Sequence, residues 1–262
     1  MELEKNQLID IDQAVPVMTG RTLVLLLLAT AMGAFMAAVL LPAWVPGLAA
    51  SVQGESPKVF WYLSRGSALV SFAMLWFSMA LGLTISNKLA RLWPGGPAAF
   101  DLHQYTSLLG LAFAVFHAVI LLGDHYIAYS LGQILVPFAS RGYKPTWVGL
   151  GQLGIYLWAL VVFSFYVRQR IGGRTWRLLH FVSFAAFGLA LAHGVTSGTD
   201  SASPWAVGMY WYAGSSLLFL ALYRILVNPR LPFSRALSTP RAAATPPETP
   251  RPIALEDHPA SS

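Results

Sequence analysis

Four histidines in two apolar stretches are the residues of this chain best suited to chemistry. His103 and His117 lie in AFDLHQYTSLLGLAFAVFHAVILLG, residues 99–123, and His180 and His193 lie within residues 176–195. Histidine is rare inside segments apolar enough to cross a bilayer, and there it usually faces a bundle interior, a cavity or a cofactor. Fourteen residues of helix put His117 about 21 Å above His103 and about 40° off its face. Between them, Ser107, Gly110 and Ala114 carry small side chains on that face and leave room for something flat and large. In the second stretch the separation is thirteen residues, which in an ideal helix sets His193 about 140° from His180. Either that helix tightens near Gly188, or the outer site is rotated and displaced relative to the inner one. Two helices with nearly equal spacing predict two stacked sites, each taking one histidine from each helix. A single site, with His193 otherwise employed, is the alternative.

The elements that must position these histidines follow from composition. Of the 262 residues, 56% are hydrophobic and only 11% charged, the balance of an integral membrane protein. The absence of cysteine excludes disulfides, thiolate metal sites, iron–sulfur clusters and cysteine nucleophiles. Residues 1–20 set Glu2, Glu4, Asp10 and Asp12 against Lys5, unlike the basic start of a secretory signal. The apolar run 22–41 is therefore read as a retained first span, despite a weak cleavage-like Leu48-Ala49-Ala50. Five further spans are predicted at about 60–83, 101–122, 147–167, 176–195 and 206–227, each long enough for a hydrocarbon core of about 30 Å. Backbone satisfaction in lipid makes each one helical. The fold class expected is all-α, a six-helix transmembrane bundle over residues 21–227. Asp101, followed three residues on by Gln104, reads as the N-cap of the third span. Residues 228–262 hold eight prolines and few large apolar side chains, and are expected to be a disordered tail.

The formal charge of +6 is distributed for membrane orientation, not for nucleic acid. Lys5, Arg21, Lys88, Arg91, Arg168, Arg170, Arg174, Arg177, Arg224, Arg230, Arg235, Arg241 and Arg251 fall on one side; Lys58, Arg65, Arg141 and Lys144 fall on the other. The positive-inside rule makes the richer side, with both termini, cytoplasmic. Trp44, Trp61, Trp147 and Trp205 then mark the outer interface, Trp93 and Trp176 the inner one. Both histidine helices run from inside to outside. Counted from 101 and 176, the histidines lie 2 and 16 residues in on one helix, and 4 and 17 on the other. The depths pair His103 with His180 at an inner site and His117 with His193 at an outer one. Two imidazoles from facing transmembrane helices are a fitting ligand set for b-type haem in a bundle core.

The stretch 62–195, roughly half the chain, resembles the ferric-reductase-like transmembrane domain. That superfamily includes ferric reductases, NADPH oxidases and the haem subunit of the periplasmic methionine sulfoxide reductase system. HQYTSLLGLAFAVFH and HFVSFAAFGLALAH reproduce its histidine gaps of thirteen and twelve intervening residues. The resemblance implies two haem b groups with His103, His117, His180 and His193 as axial ligands to iron, and electron transfer across the membrane. It also implies Arg65 beside the outer haem propionates, with snorkelling to the headgroups as the plainer reading. Arg174 and Arg177 are candidates for the inner propionates, but the topology signal is the better account of them.

Other features carry less. His125, in an outer connection, reads as solvated, and Leu121 stands where the oxidases resemble each other in having a further histidine. Gly149, Gly151 and Gly154 spell a dinucleotide-like GLGQLG, but the context is a membrane span and not a strand–helix turn, so they read as packing glycines. Phe181, Phe184 and Phe187 read as packing before any electron relay. The tail is too short for a flavin and nucleotide domain, so the expected donor is a separate cytoplasmic flavoprotein or membrane quinol. The outer acceptor stays open among ferric iron, a quinone and a periplasmic reductase such as methionine sulfoxide reductase, in the setting of a bacterial inner membrane. A histidine-lined proton or metal-ion transporter is the rival of another class, though neither histidine helix has a mid-membrane carboxylate to share the charge. A structural anchor would leave the paired depths unexplained.

Overall fold

The computed structural model describes residues 15–44, 59–92, 94–124 and 127–227, the side chains of 41–44 excepted. Six long helices dominate the described chain: α1 (Gly20–Trp44), α2 (Val59–Ser86), α3 (Gly96–Val119), α4 (Pro145–Ile171), α5 (Gly173–Ser197) and α6 (Pro204–Val227), with short helical turns at Leu89–Arg91, Ile120–Gly123 and Leu131–Leu135. All six are long and apolar enough to cross a membrane, so this is a multi-pass membrane protein of the all-α class. Among the described residues there is no strand. The N-terminal residues 1–14, Leu48–Ala50, Lys58, Trp93, His125, the side chain of Trp44 and the proline-rich tail from residue 228 lie outside the described residues.

The helices overrun the apolar runs at most ends, because a helix can continue into the headgroup region where water still satisfies its last turns. One expected boundary is corrected. Asp101 is not an N-cap, since α3 already begins at Gly96 after Gly95, with proline in its first turn. Pro97 suits that position because the N–H it lacks would be unpaired there anyway. Gln104 is consequently free of any capping task, and its Oε1 accepts from the backbone N–H of Val17, just ahead of α1, at 3.1 Å.

Two antiparallel hairpins dominate the packing, α2 against α3 and α4 against α5, with α1 laid along α3. The turn between α4 and α5 is a single residue, Gly172, at φ 81°, a backbone region that glycine enters without the Cβ clash of other residues. The hairpin faces are close because glycines sit on them. A Cβ at Gly154 would lie 3.3 Å from Leu189 Cβ across the second hairpin, and a Cβ at Gly110 would lie 2.9 Å from Met74 Cβ across the first. The glycines of GLGQLG are thus contact points of α4 with its surroundings, in keeping with small-residue helix packing in lipid.

Leu75, Leu111, Trp158, Ala186 and Leu217 form the centre of the core, joined by Leu23 of α1. α6 is tied in by Trp76 Nε1, which donates to Ser216 Oγ at 2.9 Å. Large apolar side chains such as Leu25, Leu28, Trp211, Leu218 and Phe219 cover the outside, where lipid solvates them as well as a core would. Phe181 and Phe184 stack on each other and line the cavity that holds His103 and His180, whereas Phe187 is buried and stacks on Phe72 at 5.7 Å. The helices that carry the histidines, α3 and α5, do not pack extensively on one another; each is held by its hairpin partner. The gap between them is where the site lies.

Candidate functional site

Across that gap the histidines meet in twos. The rings of His103 and His180 have centroids 6.0 Å apart and planes inclined at 63°. Those of His117 and His193 are 6.2 Å apart at 68°. Metal–imidazole bonds run about 2.0–2.1 Å, so two in line, with about 1 Å from each nitrogen to its ring centre, span about 6 Å. Both pairs therefore stand at the separation that one metal ion between them requires. Among the described residues, no three His, Cys, Asp or Glu side chains converge. Two imidazoles per site, one from each helix, suit the two axial faces of a haem iron.

The tautomers are fixed by what lies behind the rings. His103 Nδ1 is 2.8 Å from Ser78 O, His117 Nδ1 is 2.8 Å from Ser64 O, and His193 Nδ1 is 2.9 Å from Trp147 O. A carbonyl oxygen only accepts, so each Nδ1 carries the proton and each Nε2 keeps its lone pair. Metal-binding histidines are commonly backed in this way, which orients the ring and raises the basicity of the ligating nitrogen. His180 has no such acceptor among the described residues. Trp176, one turn earlier, lies against its ring at 5.0 Å and 32° instead.

The angular misfit expected within α5 has a structural answer. The helix runs unbroken from Gly173 to Ser197, without a tightened turn at Gly188. His193 instead leaves on the flank nearest α4, where Trp147 O holds its Nδ1 and Gly151 leaves space for its ring.

Each pair opens into its own cavity. The inner one, 450 Å³, is lined by His103, His180 and Trp176, with Lys88, Arg91, Arg177 and Arg224 as its charged groups and no carboxylate among the lining residues. The indole N–H of Trp176 is buried without a partner among the described residues. A donor in that state costs free energy until it meets an acceptor, and it shares its cavity with the four cations, a lining that suits a bound group with carboxylates. Arg174 does not line this cavity. The outer cavity, 210 Å³, holds His117 and His193 with Trp61, Tyr129, Tyr143, Gln152 and Trp158 in its walls. It is the tighter of the two and must open further to take a group of the same size. Burial pushes the Tyr129 phenol up from its ordinary value, partly offset by its hydrogen bond with Ser140, which keeps it a neutral donor. Trp158 spans the two levels: it lines the outer cavity, and its Nε1 donates at 3.2 Å to Ser107 Oγ, which lines the inner one.

Arg65 lines the outer cavity and pairs with Asp200, which follows α5, while its guanidinium lies 5.5 Å from the centre of the Tyr62 ring. The two side chains are 28% and 38% exposed, so their attraction is screened and contributes about 1 kcal/mol or less. Asp200→Asn should therefore lower the Tm only slightly while freeing Arg65 to meet an anion in the cavity. A large loss of Tm in differential scanning calorimetry would show that the pair is a structural clasp.

Ser64, Ser78, Trp147, Gly151, Trp158 and Trp176 are site residues that the histidine spacing does not reveal. Only the serines leave a trace in the sequence, since their separation equals that of His103 and His117. Compared with protein-family models, characterised proteins and solved structures, the chain gave no match.

Proposed function

We propose that this chain is a b-type di-haem membrane protein that carries single electrons between the two faces of the membrane. The observation that carries this reading is the repeated pair of opposed imidazoles, 6.0 and 6.2 Å apart, with three of the four rings held by Nδ1 so that Nε2 faces inward. His103 and His180 would hold the inner haem, His117 and His193 the outer one. Haem iron ligated on both faces exchanges single electrons without an open position for substrate. The chain's own part is to orient the ligands, to exclude water with Trp158 and Phe187 between the levels, and to meet carboxylates with Trp176 and the inner cations. Arg65 would meet outer carboxylates once released from Asp200.

The charge bias supports cytoplasmic termini and an inner, cytoplasm-facing cation-lined cavity. Electrons would enter there from a separate flavoprotein or from membrane quinol, and leave on the outer face. The histidine gaps support membership of the ferric-reductase-like superfamily, as a ferric-reductase-type component or as a haem subunit feeding a periplasmic reductase such as methionine sulfoxide reductase. A bacterial inner membrane is the setting that fits. The test is an absorption spectrum of the purified protein before and after dithionite, with a pyridine-haemochrome assay. Reducible b-type bands and about two haems per chain are expected from two bis-histidine pairs. A value near one would leave a single working site, and a chain purified with no haem, and unable to take it up, would sink the proposal in favour of a histidine-lined transporter.

A further inference from the structure

Three serines of α2, Ser64, Ser71 and Ser78, recur at seven-residue steps and are only 2, 6 and 4% exposed. A serine inside a helix can bond the carbonyl four residues back in its own helix, as Ser67 does with Leu63 O at 2.8 Å. These three cross to α3 instead. Ser64 Oγ donates to His117 O at 3.0 Å, Ser71 Oγ to Gly110 O at 2.9 Å, and Ser78 Oγ to His103 O at 3.1 Å. The result is an antiparallel seam in which each serine meets the α3 residue seven earlier than the last.

At the two ends of the seam a second contact is added. His117 Nδ1 is 2.8 Å from both Ser64 O and Ser64 Oγ. His103 Nδ1 is 2.8 Å from Ser78 O and 3.1 Å from Ser78 Oγ. Each hydroxyl gives its proton to the histidine's backbone carbonyl, so its lone pairs are what it offers the imidazole N–H. That N–H is then shared between two acceptors, which moves the ring towards imidazolate character and makes Nε2 more basic. The middle serine has the same packing and the same crossing bond, but Gly110 stands opposite and no imidazole is involved.

We infer that Ser64 and Ser78 are positioning residues that tune the two metal sites separately, Ser64 through His117 and Ser78 through His103, while Ser71, which also lines the outer cavity, bonds Gly110 O and no imidazole. This rests on the haem reading above. A more basic ligand favours ferric over ferrous iron, so each hydroxyl holds the reduction potential of its own site down.

The test is a spectroelectrochemical redox titration of the purified full-length protein, after haem has been counted in each variant. His117→Ala and His103→Ala first identify which component belongs to which level. Ser64→Ala should then move the outer component to more positive potential and leave the inner one in place; Ser78→Ala should do the converse. Ser71→Ala should move neither. Ser64→Cys, with a weaker acceptor in a similar volume, should move the outer component less than alanine does. Selective loss of only the facing haem in Ser64→Ala or Ser78→Ala supports the same assignment, since removing such a partner weakens metal binding about 10–100-fold. Unmoved potentials with haem retained, equal movement of both components, loss of both haems together, or a shift in Ser71→Ala as large as in its neighbours would each overturn it. A wild-type chain without haem removes the haem reading itself, and is thereby told apart from failure of the inference alone.

Discussion

His103→Ala and His180→Ala should each remove one and the same haem, and His117→Ala and His193→Ala the other. Every one of the four should leave about half of the wild-type haem and a single component in a redox titration, if both pairs are bis-histidine sites. The expectation rests on two ring pairs, His103 with His180 and His117 with His193, drawn from helices that are otherwise kept apart. With one ligand gone, the partner imidazole alone holds the iron, and the small alanine leaves a cavity that water can enter. The two inner-level variants should have superimposable titrations, and so should the two outer-level variants. Loss of the same component in His103→Ala and His117→Ala would refute the pairing, because it would make the two histidines of α3 ligands of one site.

The sequence carries the existence and depth of these pairs because both are one-dimensional. Length and hydropathy mark six spans, and counting along each span gives the depth of a histidine without knowing what surrounds it. Azimuth is different. Thirteen residues turn His193 well away from His180 in an ideal helix, and nothing in α5 itself corrects it. The correction comes from α4, where Trp147 O anchors the ring and Gly151 makes way for it. Neither contact can be read from the histidine stretch. The groups that hold the rings from behind are hidden for a related reason. Three of the Nδ1 acceptors are backbone carbonyls, and every residue has one. The serine heptad on α2 is visible in the sequence, yet only the hairpin register shows that it answers the histidines of α3.

Arg65 shows the limit in another way. Its position near the outer end of α2 suggested either an anion or the headgroups, and the partner it takes is Asp200, beyond the end of α5 and far along the chain. Asp101 suits a cap by residue type, but the glycine and proline at 95–97 start the helix earlier. By residue type Trp176 suits the membrane interface, where tryptophan is common. In the fold it is buried against His180, its indole N–H unpartnered among the described residues.

Gly151→Ala should abolish the outer site and leave the inner one working. A Cβ at position 151 would lie 2.6 Å from His193 Nδ1 and 2.7 Å from its Cγ, whereas non-bonded carbons normally come no closer than about 3.5 Å. These are atoms of a rigid ring whose Nδ1 is already tied to Trp147 O at 2.9 Å, so the ring cannot yield by rotating a flexible end. It must shift by nearly 1 Å, against the tolerance of about 0.2 Å that a metal–ligand distance allows. Other glycines supply a graded comparison. At Gly82 the nearest atom to a Cβ would be His103 Cε1 at 3.3 Å, so Gly82→Ala should disturb the inner site only mildly. At Gly188 a Cβ meets nothing within 4 Å, and Gly188→Ala should keep both haems. The measurement is haem per chain with a redox titration of each variant, on protein that runs as a single species by size exclusion. Two haems at unchanged potentials in Gly151→Ala would mean that His193 does not hold the outer iron from the position it occupies against α4.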